Sequence, residues 1–187
     1  MQLTTILSLF VAAASATPCP GSPRKFGIMA LRSASPIHFA SAGASQNGIA
    51  LNLSDARADA DCVDGSKPKS ATFYIEDERL YLYGKKGGVV QQFVVDRSGM
   101  GQGVVRYSTK TESDPTGHLE VKGWAVDETG NLNFKGTGLQ ACPAEDGSWN
   151  IWLATVAKPA GQEGCLGFSA RTVDVKKPVQ CTYSNYA

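Results

Sequence analysis

The chain has 187 residues, a formal net charge of +1, and charged residues at 19% of its length. Its basic residues are scattered, which argues against nucleic acid or an anionic membrane as the main partner. No apolar run reaches the roughly 18–20 residues that a membrane-spanning helix needs.

Residues 1–16, MQLTTILSLFVAAASA, carry no charged side chain. Ile6 to Ala14 is apolar except for Ser8, and Ala14-Ser15-Ala16 fits a small-x-small cleavage site. The expectation is a secretory signal peptide cut after Ala16, with no membrane attachment afterwards. That leaves a single secreted domain over 17–187, long enough for one well-buried core. It begins with a Pro-rich lead-in, TPCPGSPRK, over 17–25.

Five cysteines follow the leader: Cys19, Cys62, Cys142, Cys165 and Cys181. In an exported chain they are expected in disulfides, and an odd count leaves one over. Cys19, near the new N-terminus, is the one expected to stay free or to bond another molecule. Cys62, Cys142, Cys165 and Cys181 then form two bonds, and all three pairings are open. No CxxC or Cys/His spacing suggests a metal, and no cofactor motif occurs.

In FGIMALRSASPIHF, Phe26, Ile28 and Ala30 alternate, then Ile37 and Phe39 after a turn, so a hairpin is expected. A small, polar loop covers 40–48. Ile49, Leu51 and Leu53 mark a short strand. Asn52-Leu53-Ser54 is an N-glycosylation sequon with half-buried-looking neighbours, and Asn52 is a candidate glycan site. Residues 54–69 read as a polar loop.

SATFYIEDERLYLY is the clearest hairpin. It sets Phe73, Ile75, Leu80 and Leu82 on one face and Thr72, Tyr74, Tyr81 and Tyr83 on the other, with Glu76 opposite Arg79 as an ion pair at the tip. GKKGG is a turn, 92–95 and 104–107 are strands, and 108–118 is a polar loop around Asp114-Pro115. In GWAVDETGNLNFKG, Trp124 and Val126 face Leu132 and Phe134. In SWNIWLA, Trp149, Ile151 and Leu153 share a face and Trp152 takes the other. GFSARTV and the Cys181 tail close the chain.

No stretch shows a helical period, so the fold is all-β. Three similar hairpins at nearly equal spacing favour a β-trefoil-like barrel, with a Greek-key sandwich as the alternative.

No catalytic residue emerges. His38 and His118 lack a nucleophile in a recognisable elbow. The carboxylates of Glu76-Asp77-Glu78 and Asp127-Glu128 fall on hairpin tips, where raising a pKa by desolvation is hard. In DRSGMGQG three glycines alternate. They suit a chain reversal braced by Asp96 and Arg97 better than an anion cradle, since no helix follows. The aromatics are the most plausible binding groups. Tyr74, Tyr81, Tyr83 and Trp152 are the candidate glycan contacts, because flat rings stack on sugars. Burial of that face under a second layer is the more ordinary outcome.

The runs SATFYIEDERLYLYG, FVVDRSGMGQG, KGWAVDETGNLNFKG, ACPAEDGSWNIW, GFSAR and CTY resemble the PhiA family of fungal cell-wall proteins, from about Phe26 to Tyr183. The resemblance implies a secreted, non-enzymatic wall protein needed for normal phialides and conidia, in a family known to include mould allergens. It supplies no catalytic residues. Wall polysaccharide or wall proteins are the implied partners. A lectin-like secreted protein is the alternative reading, and a small secreted hydrolase is a third.

Overall fold

The computed structural model describes residues 21–109 and 117–185. The leader at 1–16, Cys19 and the stretch around Asp114-Pro115 lie outside the described residues. Among the described residues the regular structure is β apart from a short 3-10 turn at Pro159–Gly161.

Strand β1 (Phe26–Leu31) points Phe26, Ile28 and Ala30 inward, with half-buried residues between them. β2 (Ala42–Ser45) and β3 (Gly48–Leu51) form a tight hairpin. Its turn residues Gln46 and Asn47 sit at φ of 52° and 62°, the left-handed values that suit a twisted two-residue loop. β4 (Asp61–Cys62) lies in the 54–69 segment. β5 (Phe73–Glu76) and β6 (Arg79–Leu82) pair in the expected register, Phe73 with Leu82 and Tyr74 with Tyr81. Their turn, Asp77-Glu78, is also left-handed. Glu76 stands opposite Arg79 as expected, but the ion pair seen at the tip joins Arg79 to the turn residue Asp77, and Lys122 reaches the same carboxylate at 3.0 Å.

β7 (Gln92–Asp96) and β8 (Val104–Ser108) flank the glycine loop, and β9 (Leu119–Glu120) adds to β7. β10 (Trp124–Val126) and β11 (Leu132–Phe134) are a separate hairpin. β12 (Leu139–Pro143), β13 (Trp149–Leu153), β14 (Leu166–Asp174) and β15 (Cys181–Thr182) complete the chain.

The pairing path closes on itself. It runs β12-β14-β1-β5-β6-β7-β8-β13, and β13 returns to β12. Closure leaves none of these strands at a free edge of the sheet. The all-β single domain is therefore the fold that forms. The first of the three hairpins does not. β1 pairs with β14 along its whole length instead. Residues 33–39 fold into turns, with His38 N–H donating to Ser35 O at 3.2 Å and Ala40 N–H to Ile37 O at 3.0 Å. Pro36 has no N–H to give a ladder, which explains the break. Ile37 is buried all the same, while Phe39 turns outward. The threefold count behind the trefoil expectation thus loses a member.

A line of rings fills the interior. Phe26 meets Phe73 at 6.2 Å, Phe73 meets Phe93 at 5.8 Å, and Phe93 meets Tyr107 at 5.8 Å and Trp124 at 6.4 Å. Trp124 then packs edge-on to Phe134 at 5.1 Å. The β10–β11 hairpin is held to the ring by these two side chains. Each fully buried large side chain is worth roughly 1.5–3 kcal/mol.

Two disulfides resolve the open pairing: Cys62–Cys181 and Cys142–Cys165. The first joins β4 to β15 at directly opposed positions. The second ties β12 to the residue before β14.

Candidate functional site

The tyrosine face of β5–β6 is neither buried under a second layer nor fully open. Tyr74, Tyr81 and Tyr83 are each half-buried. Hairpin pairing sets Tyr74 against Tyr81, with ring centroids 5.1 Å apart and planes at 17°. Lys25, just before β1, places its ammonium 4.4 Å from the Tyr74 ring and 5.2 Å from the Tyr83 ring. Tyr74 therefore contacts both Tyr81 and Lys25. Their own partial burial raises the Tyr74 and Tyr81 phenol pKa values, and desolvation lowers that of Lys25. The row offers phenol hydroxyls and ring edges, with Tyr74 serving to space the others.

Beside this row lies a shallow hollow of about 250 Å³. Gly27, Met29, Thr72, Val173 and Val175 line it. Thr72 joins hollow and row, since its carbonyl accepts the Tyr83 N–H at 2.8 Å. An added Cβ at Gly27 would come no nearer than 4.0 Å to Ala71 O and Val175 Cγ2, so the glycine keeps the floor low. The hollow is mostly apolar and its rim carries hydroxyls. A pyranose ring has the same two surfaces, apolar C–H faces and a hydroxyl rim.

Trp152 is not part of this site. It is half-buried on β13 and pairs with Val104 of β8, three strands from β6. It lines a different hollow of about 190 Å³ with Gln46, Arg57, Arg106 and Asn150. Asn52 is exposed, at φ 51°, although Leu51 and Leu53 on either side are buried. Sequence reading missed Lys25, hidden in the lead-in. It placed Thr72 on the tyrosine face without a role, and it missed Gly27, whose part follows only from the pairing of β1 with β5 and β14.

The other candidate groups are engaged structurally. In DRSGMGQG, Ser98 N–H donates to Asp96 Oδ1 at 2.9 Å, Gly101 N–H to Ser98 Oγ at 3.1 Å and Gly103 N–H to Asp96 O at 2.8 Å. Those amides are committed to the loop itself, as the bracing reading expects. A Cβ on Gly101 would stand 2.1 Å from Asp96 Cγ. Arg97 instead braces β9, gripping Glu120 at 2.6 and 2.9 Å. Asp77 is held below the usual carboxylate range by Lys122 and then Arg79. Asp127 is held down by the Asn131 N–H and then Thr129. Such ionised, turn-bracing carboxylates are the opposite of a general acid with a raised pKa. His38 accepts the Arg32 N–H at 3.1 Å. His118 is exposed beside Arg97, Ser98 and Glu120 in a shallow hollow.

Comparison with known proteins bears on the whole chain. The family model described as PhiA-like secreted protein matches residues 26–184. A relative from Emericella nidulans, named cell wall protein phiA, is 39% identical over 99% of this chain and 100% of its own length. Relatives of the same name from Aspergillus fumigatus and Arthroderma benhamiae are 43% and 41% identical, over 92% and 98% of this chain and 92% and 100% of their own lengths. No solved structure matches. Matched along almost its whole length, the chain belongs to the family of PhiA-like secreted proteins.

Proposed function

We propose that this secreted protein is a non-enzymatic component of the fungal cell wall that contacts wall polysaccharide and serves the development of phialides and conidia. The observation that carries the polysaccharide contact is the hydroxyl-edged row of Tyr74, Tyr81 and Tyr83 beside the apolar hollow at Gly27 and Thr72. The names of the relatives support the wall assignment. The structural use of Asp77, Asp127 and the glycine loop supports a non-enzymatic role. On this reading residues 1–16 are removed on export and the domain carries a glycan on Asn52. Cys19 stays free or links to another wall molecule, and a reducing agent would release a protein held that way.

Two experiments test the reading. Purified protein is mixed with isolated fungal wall, insoluble β-glucan and chitin, then sedimented. Binding to at least one is expected, and binding to none would count against polysaccharide contact. Deletion in the producing fungus is expected to deform phialides and reduce spore number. A normal conidiophore with normal spore yield would count against the developmental role.

A further inference from the structure

One exposed aromatic remains unexplained. Phe39 is 63% exposed and sits at φ 63°. A bulky residue with a positive φ is an outlier, and such strain concentrates where function needs it. The backbone enforces it: Phe39 N–H donates to Ala30 O at 2.8 Å and Ala30 N–H to Ala40 O at 2.8 Å. The His38 ring lies 3.8 Å from the Phe39 ring and fixes its direction.

Phe39 shares a hollow of about 360 Å³ with Ser41, Asn52, Lys69 and Ser70. That volume is within the range of ligand pockets. One wall is the 69–71 segment, docked on β2 by the Ala71 N–H to Ala42 O bond of 2.9 Å. It comes so close that a Cβ on Gly43 would stand 2.1 Å from Lys69 O. Asn52 is fixed at the opposite side, between buried Leu51 and Leu53, and is itself exposed. The Ser54 hydroxyl of the sequon donates to Asp146 Oδ2 at 2.7 Å, which anchors the far side of the turn. The sequon asparagine therefore opens into the hollow that the strained phenylalanine lines.

We infer that the N-glycan of Asn52 is seated in this hollow, with its first N-acetylglucosamine against the Phe39 ring and the hydroxyls of Ser41 and Ser70. The inference rests on the glycan that the proposed function assigns to Asn52. Covalent attachment supplies a high effective concentration, so weak stacking is enough to hold the sugar. The seated sugar covers apolar surface that the protein leaves open, and folded protein gains stability from it.

The test uses full-length protein secreted from a glycosylating fungal host. Peptide mass analysis is expected to place an N-glycan on Asn52. Thermal midpoints are then read for untreated protein, for protein trimmed by endoglycosidase to the first sugar, and for protein stripped by peptide-N-glycosidase. Stripping is expected to lower the midpoint by about 2–4 °C, while trimming lowers it far less. Phe39→Ala is expected to reproduce the drop in glycosylated protein and to change nothing in stripped protein, so the two losses are not additive. Phe39→Tyr is expected to keep the stabilisation. Additive losses, or stripping without effect, would overturn the seating and leave the glycan assignment intact. An unmodified Asn52 would overturn both.

Discussion

Tyr74 and Tyr81 stack across the β5–β6 hairpin with centroids 5.1 Å apart, and the Lys25 ammonium lies 4.4 Å from the Tyr74 ring. Tyr74 makes the two closest of these contacts, so Tyr81 and Tyr83 are the tyrosines to substitute. Replacing both with alanine is expected to weaken retention on isolated wall, glucan or chitin about tenfold, the equivalent of roughly 1–2 kcal/mol of lost aromatic contact. Far-UV circular dichroism should keep the β signature of the parent, since both rings lie outside the core. Unchanged retention on every one of the three matrices would remove the tyrosine row from the binding site.

The β5–β6 register could be read from sequence because alternation and a two-residue turn specify it locally. The same rule failed at 26–39. There the alternation of Ile37 and Phe39 reflects one buried side chain in a turn and one exposed ring, and Pro36 forbids the ladder. Long-range pairing was illegible for another reason. That β1 lies between β14 and β5 depends on ring closure, not on any local pattern. The hollow at Gly27 and the separation of Trp152 from the tyrosines are both consequences of that closure.

The two disulfides close loops of very different length, with sequence separations of 119 and 23. In the chain-entropy account the longer loop stabilises by about 5 kcal/mol and the shorter by about 3 kcal/mol. Replacing Cys62 and Cys181 together by alanine is therefore expected to cost more than replacing Cys142 and Cys165. Urea unfolding of the two double variants checks this ordering. The reverse order would show that native packing around Cys142 outweighs the loop term.

Glu120 gives the domain an acid-sensitive joint. Arg97 first, and Lys135 after it, lower its pKa from the ordinary glutamate range to about 2. A carboxylate depressed in the folded state contributes stability that is present above its unfolded pKa and fades as pH falls toward the folded one. The contribution is expected to be full above about pH 5 and lost by about pH 2. With its side chain 25% exposed, solvent screening reduces the worth of this grip to about 1–2 kcal/mol. Glu120→Gln should lose that amount in urea unfolding at pH 7 and should match the parent near pH 2. An equal deficit at both values would show that the loss is not electrostatic.

The C-terminal segment is held by buried hydrogen bonds rather than by a long strand. Gln91 grips the Tyr183 backbone from both sides, donating to its carbonyl at 2.8 Å and accepting its N–H at 3.0 Å. The Tyr107 hydroxyl donates to Ser184 O at 2.5 Å, and Gln46 N–H donates to Ser184 Oγ at 2.7 Å. Tyr107 is buried, so Tyr107→Phe removes the donor without leaving a large cavity. The expected cost is about 1–2 kcal/mol in urea unfolding. Hydrogen exchange should localise the loosening to Gln46, Asn47 and the last described residues. The phenols add a base limit. Burial raises the Tyr107 pKa, and it pushes Tyr183 up to about 12. A raised folded pKa means stability that is complete below the unfolded value of about 10 and lost as pH climbs through the folded one. The parent is therefore expected to lose stability steeply between about pH 10 and 12. Tyr107→Phe should lose less over the same interval, because one of the phenols raised by burial is gone while Tyr74, Tyr81 and Tyr183 remain. An identical alkaline slope in parent and variant would show that Tyr107 is not among the groups that ionise on unfolding.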